Sequence, residues 1–334
     1  MIPKSAELFG SNFRRLLLGW FEAHGRAFPW RSEEHVRTGN AGSVVHDPWM
    51  ILVSEVMLQQ TQTSRVVQKL PVFLELFPDA GALAQAGRAE LLRAWQGMGY
   101  NSRALRLQET ARAITEQHGG VFPREPEALR ALPGVGPYTV SAILCFAFGE
   151  DVPVIDVNIA RILSRVFHRC YARFQVMPEK DLYELAAFLV PEGDAYRYHQ
   201  ALMDLGATIC VRRSPRCGSC LLSEICLSAG FLDAGELFDP ASARSSEPMF
   251  LGEPRRLWRG RIVEVLRSEE QGAVVKEIYE KVRAGRDLPD QNVSTEQDFL
   301  KIVDGLLRDG LIERPGQVRE GGADGADIIR LPHD

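Results

Sequence analysis

Residues Leu132 to Ile143 read LPGVGPYTVSAI, two prolines and two glycines ahead of an apolar run. Pro133, Gly134, Val135 and Gly136 do not suit a helix as a unit: proline ends what precedes it, and glycine admits positive φ and close backbone approach. A turn of this kind that opens a helix aims free N–H groups outward, an arrangement suited to anions. A tight connection between two helices, holding nothing, fits the same residues. Twenty residues past Gly136 stands Asp156, in VPVIDVNIARIL. It follows an apolar stretch and opens a new helical run, where the dipole and spare N–H groups favour an ionised carboxylate. A plain N-cap would look the same.

A second carboxylate lies upstream in MILVSEVMLQQTQTSRV, where Glu55 stands amid Ile51, Leu52, Val53, Val56, Met57 and Leu58. At 3.6 residues per turn, Glu55, Gln59 and Gln62 share one face, a polar stripe on an otherwise apolar helix. A carboxyl group with such neighbours has a raised pKa and carries a proton near neutrality. A capping or solvent-facing glutamate is the plain alternative. Two carboxylates in contrasting surroundings suit cleavage of a glycosidic bond, one protonating the leaving group and the other stabilising oxocarbenium-like charge.

Four of the six cysteines crowd into CVRRSPRCGSCLLSEIC, as Cys210, Cys217, Cys220 and Cys226. Four thiolates in seventeen residues can converge on one metal centre without help from distant chain. Structural zinc and unrelated buried thiols are the alternatives. Cys145 and Cys170 read as core thiols. Arg212, Arg213 and Arg216 within the loop suggest a phosphate-facing surface or solvated side chains.

Together these motifs resemble the HhH-GPD superfamily of DNA glycosylases, and within it the MutY-type adenine glycosylases. The cysteine spacing is similar to the [4Fe-4S] loop of the endonuclease III and MutY proteins, and SEVMLQQTQ, Ser54 to Gln62, to the MutY string whose glutamate protonates adenine. HGRAFPWR at 24–31 looks like the segment bordering the base pocket, giving Trp30 and Arg31. GMGYNSRALRL at 97–107 matches the loop whose tyrosine wedges beside the lesion, giving Tyr100, with Asn101 where many relatives have a second tyrosine. YHQALMDLGATIC at 198–210 puts Gln200 at a base-contacting position. Each also fits a packing or surface role.

The resemblance implies an all-α, two-subdomain helix-hairpin-helix fold over residues 1–230. It places a six-helix barrel with the hairpin at about 46–150, and an iron–sulfur subdomain at 1–45 and 151–230. It implies a base-excision repair enzyme that removes adenine mispaired with 8-oxoguanine or guanine from double-stranded DNA. Glu55 and Asp156 would be catalytic, with Asn158 orienting the aspartate or the water. Gln59, Gln60, Tyr100 and the Gly134–Val135–Gly136 hairpin would hold DNA. Tyr138 occupies the position where bifunctional relatives carry a Schiff-base lysine; a phenol cannot form that adduct, so the enzyme would be monofunctional. A mismatch thymine or uracil glycosylase is the runner-up, disfavoured by Gln59 and Gln60. A noncatalytic iron–sulfur DNA-binding regulator would need neither carboxylate.

Of the 334 residues, 45% are hydrophobic and 25% charged, an ordinary globular balance, and the net charge of -5 gives no global basic signature. No apolar run has membrane-spanning length and no signal peptide is recognisable, so the expectation is a cytoplasmic, nucleoid-associated monomer. Gly, Pro, Ser and acidic residues mark a linker at 231–256. Residues 257–334 read as three helices, then a hairpin of LIERPG and DIIRLP around a Gly-rich turn, a small winged-helix-like α+β domain. MutY relatives usually end in a Nudix-like domain with a Phe-Ser-His loop; here the only histidine of the tail is His333. Within the tail, the basic stretch Arg255, Arg256, Arg259 and Arg261 is the candidate DNA contact, since Glu296, Asp298 and Asp304 on the third helix oppose phosphate.

Overall fold

The computed structural model describes residues 2–32, 36–38, 44–170, 176–233, 247–286, 293–315 and 327–333. Helices dominate, and no helix among the described residues is long and apolar enough to cross a membrane. Two compact units share the chain: Met1–Glu55 with Pro123–Ala131 and Val135–Ala243, and Val56–Phe122 with Leu132–Gly134 and Arg244–Asp334.

The first unit is built on α1 (Lys4–His24), α9 (Val157–Phe167), α10 (Glu179–Leu189) and α11 (Ala195–Thr208). Apolar positions three and four apart give each helix one buried stripe. Phe13 and Leu17 of α1 meet Ile162, Leu163 and Phe167 of α9, Leu185 and Leu189 of α10, and Leu202 and Leu205 of α11 in one core. Each such side chain removed from water contributes about 1.5–3 kcal/mol. Phe13 packs edge-on to Phe167 at 5.1 Å between ring centroids. Gly10 lets α1 approach α10 closely, since a Cβ there would lie 3.1 Å from Leu189. Ahead of α2, β1 (Val36–Thr38) and β2 (Val44–His46) pair antiparallel, while 33–35 and 39–43 lie outside the described residues.

Helix α2 (Pro48–Leu58) ends one turn earlier than its apolar pattern suggests. Glu55, Gln59 and Gln62 therefore do not form a polar stripe: Gln59 and Gln60 are exposed in a turn, Gln60 at φ 55°, and Gln62 is the N-cap of α3 (Thr63–Leu76). In the second unit, buried Arg103 of α6 (Ser102–His118) enforces the stop. Its Nη1 donates to the carbonyls of Val56 (2.8 Å), Met57 (3.2 Å) and Gln59 (2.5 Å). Its Nη2 donates to Thr61 Oγ1, Met98 O and Gly99 O at 2.9–3.1 Å. The helix-end carbonyls, orphaned by geometry, are thus captured by a cation.

Arg103→Lys should lose about 3 kcal/mol or more in urea unfolding, because one ammonium cannot fork to six acceptors and the carbonyls left over are buried. A lysine variant within 1 kcal/mol of wild type would refute the clamp.

The apolar run 76–95 forms two helices, α4 (Ala80–Gln85) capped by the Asp79 side chain and α5 (Arg88–Ala94). Gln108 bridges the break by donating to Leu83 O and Ala86 O, and Trp95 is fully buried edge-on to Phe73. α7 (Pro126–Ala131) and α8 (Pro137–Ala142) flank the Gly/Pro turn, and α8 runs on into a π turn, Ile143–Ala147.

Beyond α11, α12 (Ala229–Asp233) closes the cysteine loop; 234–246, half of the expected linker, lie outside the described residues. In the C-terminal segment β3 (Met249–Phe250) pairs with β4 (Glu253–Pro254), and α13 (Arg255–Arg267) follows at once. Trp258 is fully buried against Phe250, Tyr279 of α14 (Val275–Arg283) and Phe299 of α15 (Val293–Arg308). Among the described residues, the expected terminal hairpin shows one bridge, Glu313–Arg330. Its second strand, β6 (Ile328–Ile329), pairs instead with β5 (Ala273–Val274), a strand between α13 and α14 that the sequence reading missed. The Gly-rich turn, 316–326, lies outside the described residues. α13 docks within its own unit on α5 and the loop after it: Arg267 donates to Leu92 O at 3.0 Å and to Asn101 Oδ1 at 3.1 Å.

Candidate active site

Asp156 is the N-cap of α9. Its Oδ1 accepts from the backbone N–H of Asn158 (2.9 Å) and Ile159 (2.7 Å), and its Oδ2 from the Asn158 side-chain amide (2.7 Å). The cap that propensity predicts and the charge that chemistry wants are one group. Asn158 is fixed in turn by Arg161, whose Nη1 donates to Asn158 Oδ1 at 3.0 Å while Nε and Nη2 hold Cys210 O and Gly206 O. Gly206 must be glycine for this approach, because a Cβ there would sit 2.8 Å from Asn158 Cβ.

Glu55 on α2 is 7% exposed, and burial pushes its pKa up to about 7. A hydrogen bond from the Tyr138 hydroxyl pulls the other way, as does Arg31, whereas the Asp156 charge adds to the rise. Tyr138, the second residue of α8, is held well above the usual phenol range by burial first and then by Glu55 and Asp156, so its hydroxyl stays protonated and donates. The structure therefore brings together three groups that the sequence reading singled out: a carboxyl poised near neutrality, a capped carboxylate and a phenol between helices.

Trp30 is buried, its ring stacked on Phe28 at 4.7 Å. The Arg31 guanidinium is committed to Asp204, with Nη1 at 2.9 Å and Nη2 at 3.0 Å, and Arg26 adds its backbone N–H and Nε to the same carboxylate. Burial alone would raise Asp204, but Arg31 and Arg26 outweigh it and hold the carboxyl below the usual range. Gln200 is buried on α11.

Of the proposed DNA contacts, Gly134 takes φ 74°, where a Cβ would crowd Arg106, Val135 is buried, and Gly136 is the N-cap of α8 with open space beside its Cα. In the second unit Gln60 and Tyr100 are exposed and both adopt left-handed φ, 55° and 45°. Such strain in non-glycine residues at the surface is typical of functional loops.

Cys210, Cys217, Cys220 and Cys226 line one pocket, walled by Ile162 and Leu222 and with Arg165 beside it. Arg165 Nη1 lies 3.4 Å from Cys210 Sγ and also donates to Val211 O; Nη2 donates to Arg212 O. Among the described residues, no three His, Cys, Asp or Glu side chains are set to hold a single ion. Cys145 and Cys170 are fully buried, and Arg212, Arg213 and Arg216 are exposed. The basic stretch of the tail is largely neutralised: Arg256 pairs with Glu247, Arg259 with Asp309 and Arg261 with Glu253.

Arg103, Arg161, Arg165 and Asp204 went unnoticed in the sequence. No signal was there even for the pair on α9: Arg161 and Arg165 stand one turn apart, opposite the stripe of Ile159, Ile162, Leu163 and Val166, where an amphipathic helix puts solvent-facing charges.

Residues 53–171 match the model described as HhH-GPD superfamily base excision DNA repair protein. The chain is 38% identical over 304 residues to an adenine DNA glycosylase of Mycolicibacterium smegmatis, covering 91% of this chain and 93% of that one. It is 37% identical over 299 residues to an adenine DNA glycosylase of Mycobacterium tuberculosis, 89% of each. Among solved structures, that of a thermostable thymine-DNA glycosylase superposes with a TM-score of 0.60 at 30% identity, over 69% of this chain and 99% of that one. By these matches the chain belongs to the HhH-GPD superfamily of base excision DNA repair proteins, among the adenine DNA glycosylases.

Proposed function

We propose that the protein hydrolyses the N-glycosidic bond of adenine mispaired with 8-oxoguanine or guanine in double-stranded DNA, without cleaving the strand. The observation that carries this reading is Glu55 itself, 7% exposed on α2, where burial lifts its carboxyl to about 7 against the pull of the neighbouring Tyr138 and with the help of Asp156. A purine leaves well only when its ring is protonated, and a carboxyl with a pKa of about 7 supplies that proton at physiological pH.

The base must first leave the stack. Tyr100 and Gln60, strained and exposed, are suited to fill the gap, and the Gly134–Val135–Gly136 turn to approach a phosphate. In the pocket bordered by Trp30, Arg31 and Gln200, Glu55 donates its proton to the adenine ring as the C–N bond breaks. Asp156, held by its three cap hydrogen bonds, stabilises the cationic sugar. Water adds at the anomeric carbon and gives its proton to the Glu55 carboxylate, and Asn158 orients the aspartate. No lysine amine stands at Tyr138 to attack the sugar, so the abasic strand remains intact.

Cys210, Cys217, Cys220 and Cys226 line one pocket, a donor set of four thiols that suits a [4Fe-4S] cluster. Such a cluster would supply architecture here, since hydrolysis needs no electron transfer. The tail, three helices with the β5–β6 pair, supports a winged-helix-like domain over 257–334. Its neutralised arginines argue for contact with protein surface over sequence reading. The proposed enzyme acts on double-stranded DNA as a cytoplasmic, nucleoid-associated monomer.

The test is purified protein against duplexes containing A:8-oxoG, A:G, T:G and U:G, with and without alkali. Adenine loss seen only after alkali is the expected result. Loss of thymine or uracil but not adenine would overturn it, and nicking without alkali would overturn the monofunctional reading.

Tyr138→Phe gives a separate prediction. If Glu55 acts in its protonated form, the rate is flat below pH 7 and declines above it. The Tyr138 hydrogen bond favours the ionised form, so its removal moves that decline to higher pH. A shift to lower pH in single-turnover profiles would contradict the pairing.

A further inference from the structure

His199 precedes Gln200 on α11 and is 1% exposed. Its Nε2 accepts the backbone N–H of Val154 at 3.0 Å. A ring nitrogen that accepts from an amide bears no proton, so the proton is on Nδ1, which donates to Ala195 O at 2.7 Å. Cys145 Sγ, within the π turn that continues α8, lies 3.6 Å from the same Nδ1. The ring is neutral: burial pushes its pKa down to about 4, only partly offset by the Ala195 carbonyl and Asp151.

Val154 is fully buried, two residues before Asp156, in the irregular lead-in Val152–Asp156 that has no helix or strand to order it. Its N–H is a buried donor whose acceptor comes from 45 residues away. Cys145 follows Tyr138 by seven residues on the same helical segment, and Gln200 is the next residue on α11. One imidazole therefore touches three segments, and each carries a group of the candidate site.

We propose that His199 is a positioning residue for base excision, a neutral imidazole that ties the lead-in to Asp156 and the π turn behind Tyr138 to the helix bearing Gln200. It touches no reacting atom. It fixes the angle at which α9 begins, and with it where the Asp156 carboxylate stands relative to Glu55. An amide acceptor at the height of Nε2 can replace it, and a ring without nitrogen cannot.

This rests on the adenine-excision reading, and wild-type excision in the same assay tests that reading on its own. The experiment is single-turnover excision from an A:8-oxoG duplex by holoenzyme, comparing wild type, His199→Gln and His199→Phe. Duplex affinity is measured alongside. The rate constant reports geometry in folded molecules, and the amplitude reports how many are folded. His199→Phe should lower the rate constant by about tenfold or more, as a misplaced catalytic group does, with duplex affinity within about threefold of wild type (less than 1 kcal/mol). His199→Gln, whose Oε1 can accept from Val154, should recover most of the rate. A phenylalanine variant with reduced amplitude but wild-type rate constant would make His199 merely structural and sink the proposal. So would a glutamine variant as slow as the phenylalanine one, as would an active wild type whose two variants match it.

Discussion

Asp156→Asn should reduce single-turnover adenine excision by roughly 10³-fold or more, about 4 kcal/mol of transition-state stabilisation, while duplex binding survives. The separation of effects follows from the two duties of this side chain. As a cap it accepts from Asn158 and Ile159 through Oδ1 alone, and an asparagine oxygen does that equally well. Helix α9 therefore starts at the same residue. As a charge it would, on the proposed mechanism, face the developing oxocarbenium ion, and an amide has nothing to offer there. One local penalty remains. The new amide nitrogen would meet the Asn158 amide now bonded to Oδ2, donor against donor, and either group must flip. Circular dichroism and melting near wild type, with binding intact and excision absent, are the expected set. Retained excision would remove Asp156 from the mechanism and with it the glycosidase reading of the pair.

Asn158 and Arg161 support the same carboxylate at one and two removes. Asn158→Ala removes one bond to Asp156 but leaves both backbone N–H donors, so the carboxylate keeps its charge and most of its position. The loss should accordingly be smaller than that from Asp156→Asn. Arg161 reaches further, joining Asn158 to the carbonyl of Cys210, so the cysteine loop and the aspartate are parts of one hydrogen-bonded framework. On the proposed mechanism, the cysteine loop would thus bear on where the carboxylate stands without taking part in hydrolysis.

What the amino-acid sequence discloses on its own is local. Asp156 announces itself by following an apolar stretch and opening a helix, and its cap is formed by the next three residues. Glu55 is legible because six apolar neighbours enclose it within one helix. The prolines and glycines of 132–137 mark the turn by their own backbone limits. Most of the failures are long-range. Nothing within SEVMLQQTQ says that α2 stops at Leu58, because the cation that captures its carbonyls is Arg103, more than forty residues away. The stripe of Glu55, Gln59 and Gln62 is a correct period applied past the helix end. Arg255 to Arg261 read as a basic face because their partners Glu247, Glu253 and Asp309 are scattered along the chain. His199 is invisible for the same reason: a histidine in an apolar helix does not reveal which backbone N–H it receives. Strand β5 escaped because two residues cannot establish an alternation.

Glu55→Gln should abolish excision and stabilise the protein in the same stroke. A carboxyl raised from its ordinary 4.5 to about 7 by burial is a group whose ionised form the fold resists. Its folded pKa lies above the unfolded one. The folded state therefore binds the extra proton between these values, and stability associated with the neutral form is complete below pH 4.5 and lost as pH rises through 7. The shift of about 2.5 units corresponds to roughly 3 kcal/mol by pH 9. Glutamine is uncharged throughout, accepts the same Tyr138 hydroxyl through its oxygen, and avoids that loss. The expectation is equal stability of the two proteins at pH 4 and an advantage of about 3 kcal/mol for the variant at pH 9, read from denaturant unfolding. Excision should fall by roughly 10³-fold, within the range for loss of a general acid. A variant no more stable at pH 9 than wild type would mean that Glu55 ionises freely, and then it could not hold the proton that a leaving purine requires. The destabilisation is the measure of the function: only a carboxyl kept out of water retains a proton at neutral pH, and a fold that retained it without strain would have no tendency to give it to the base.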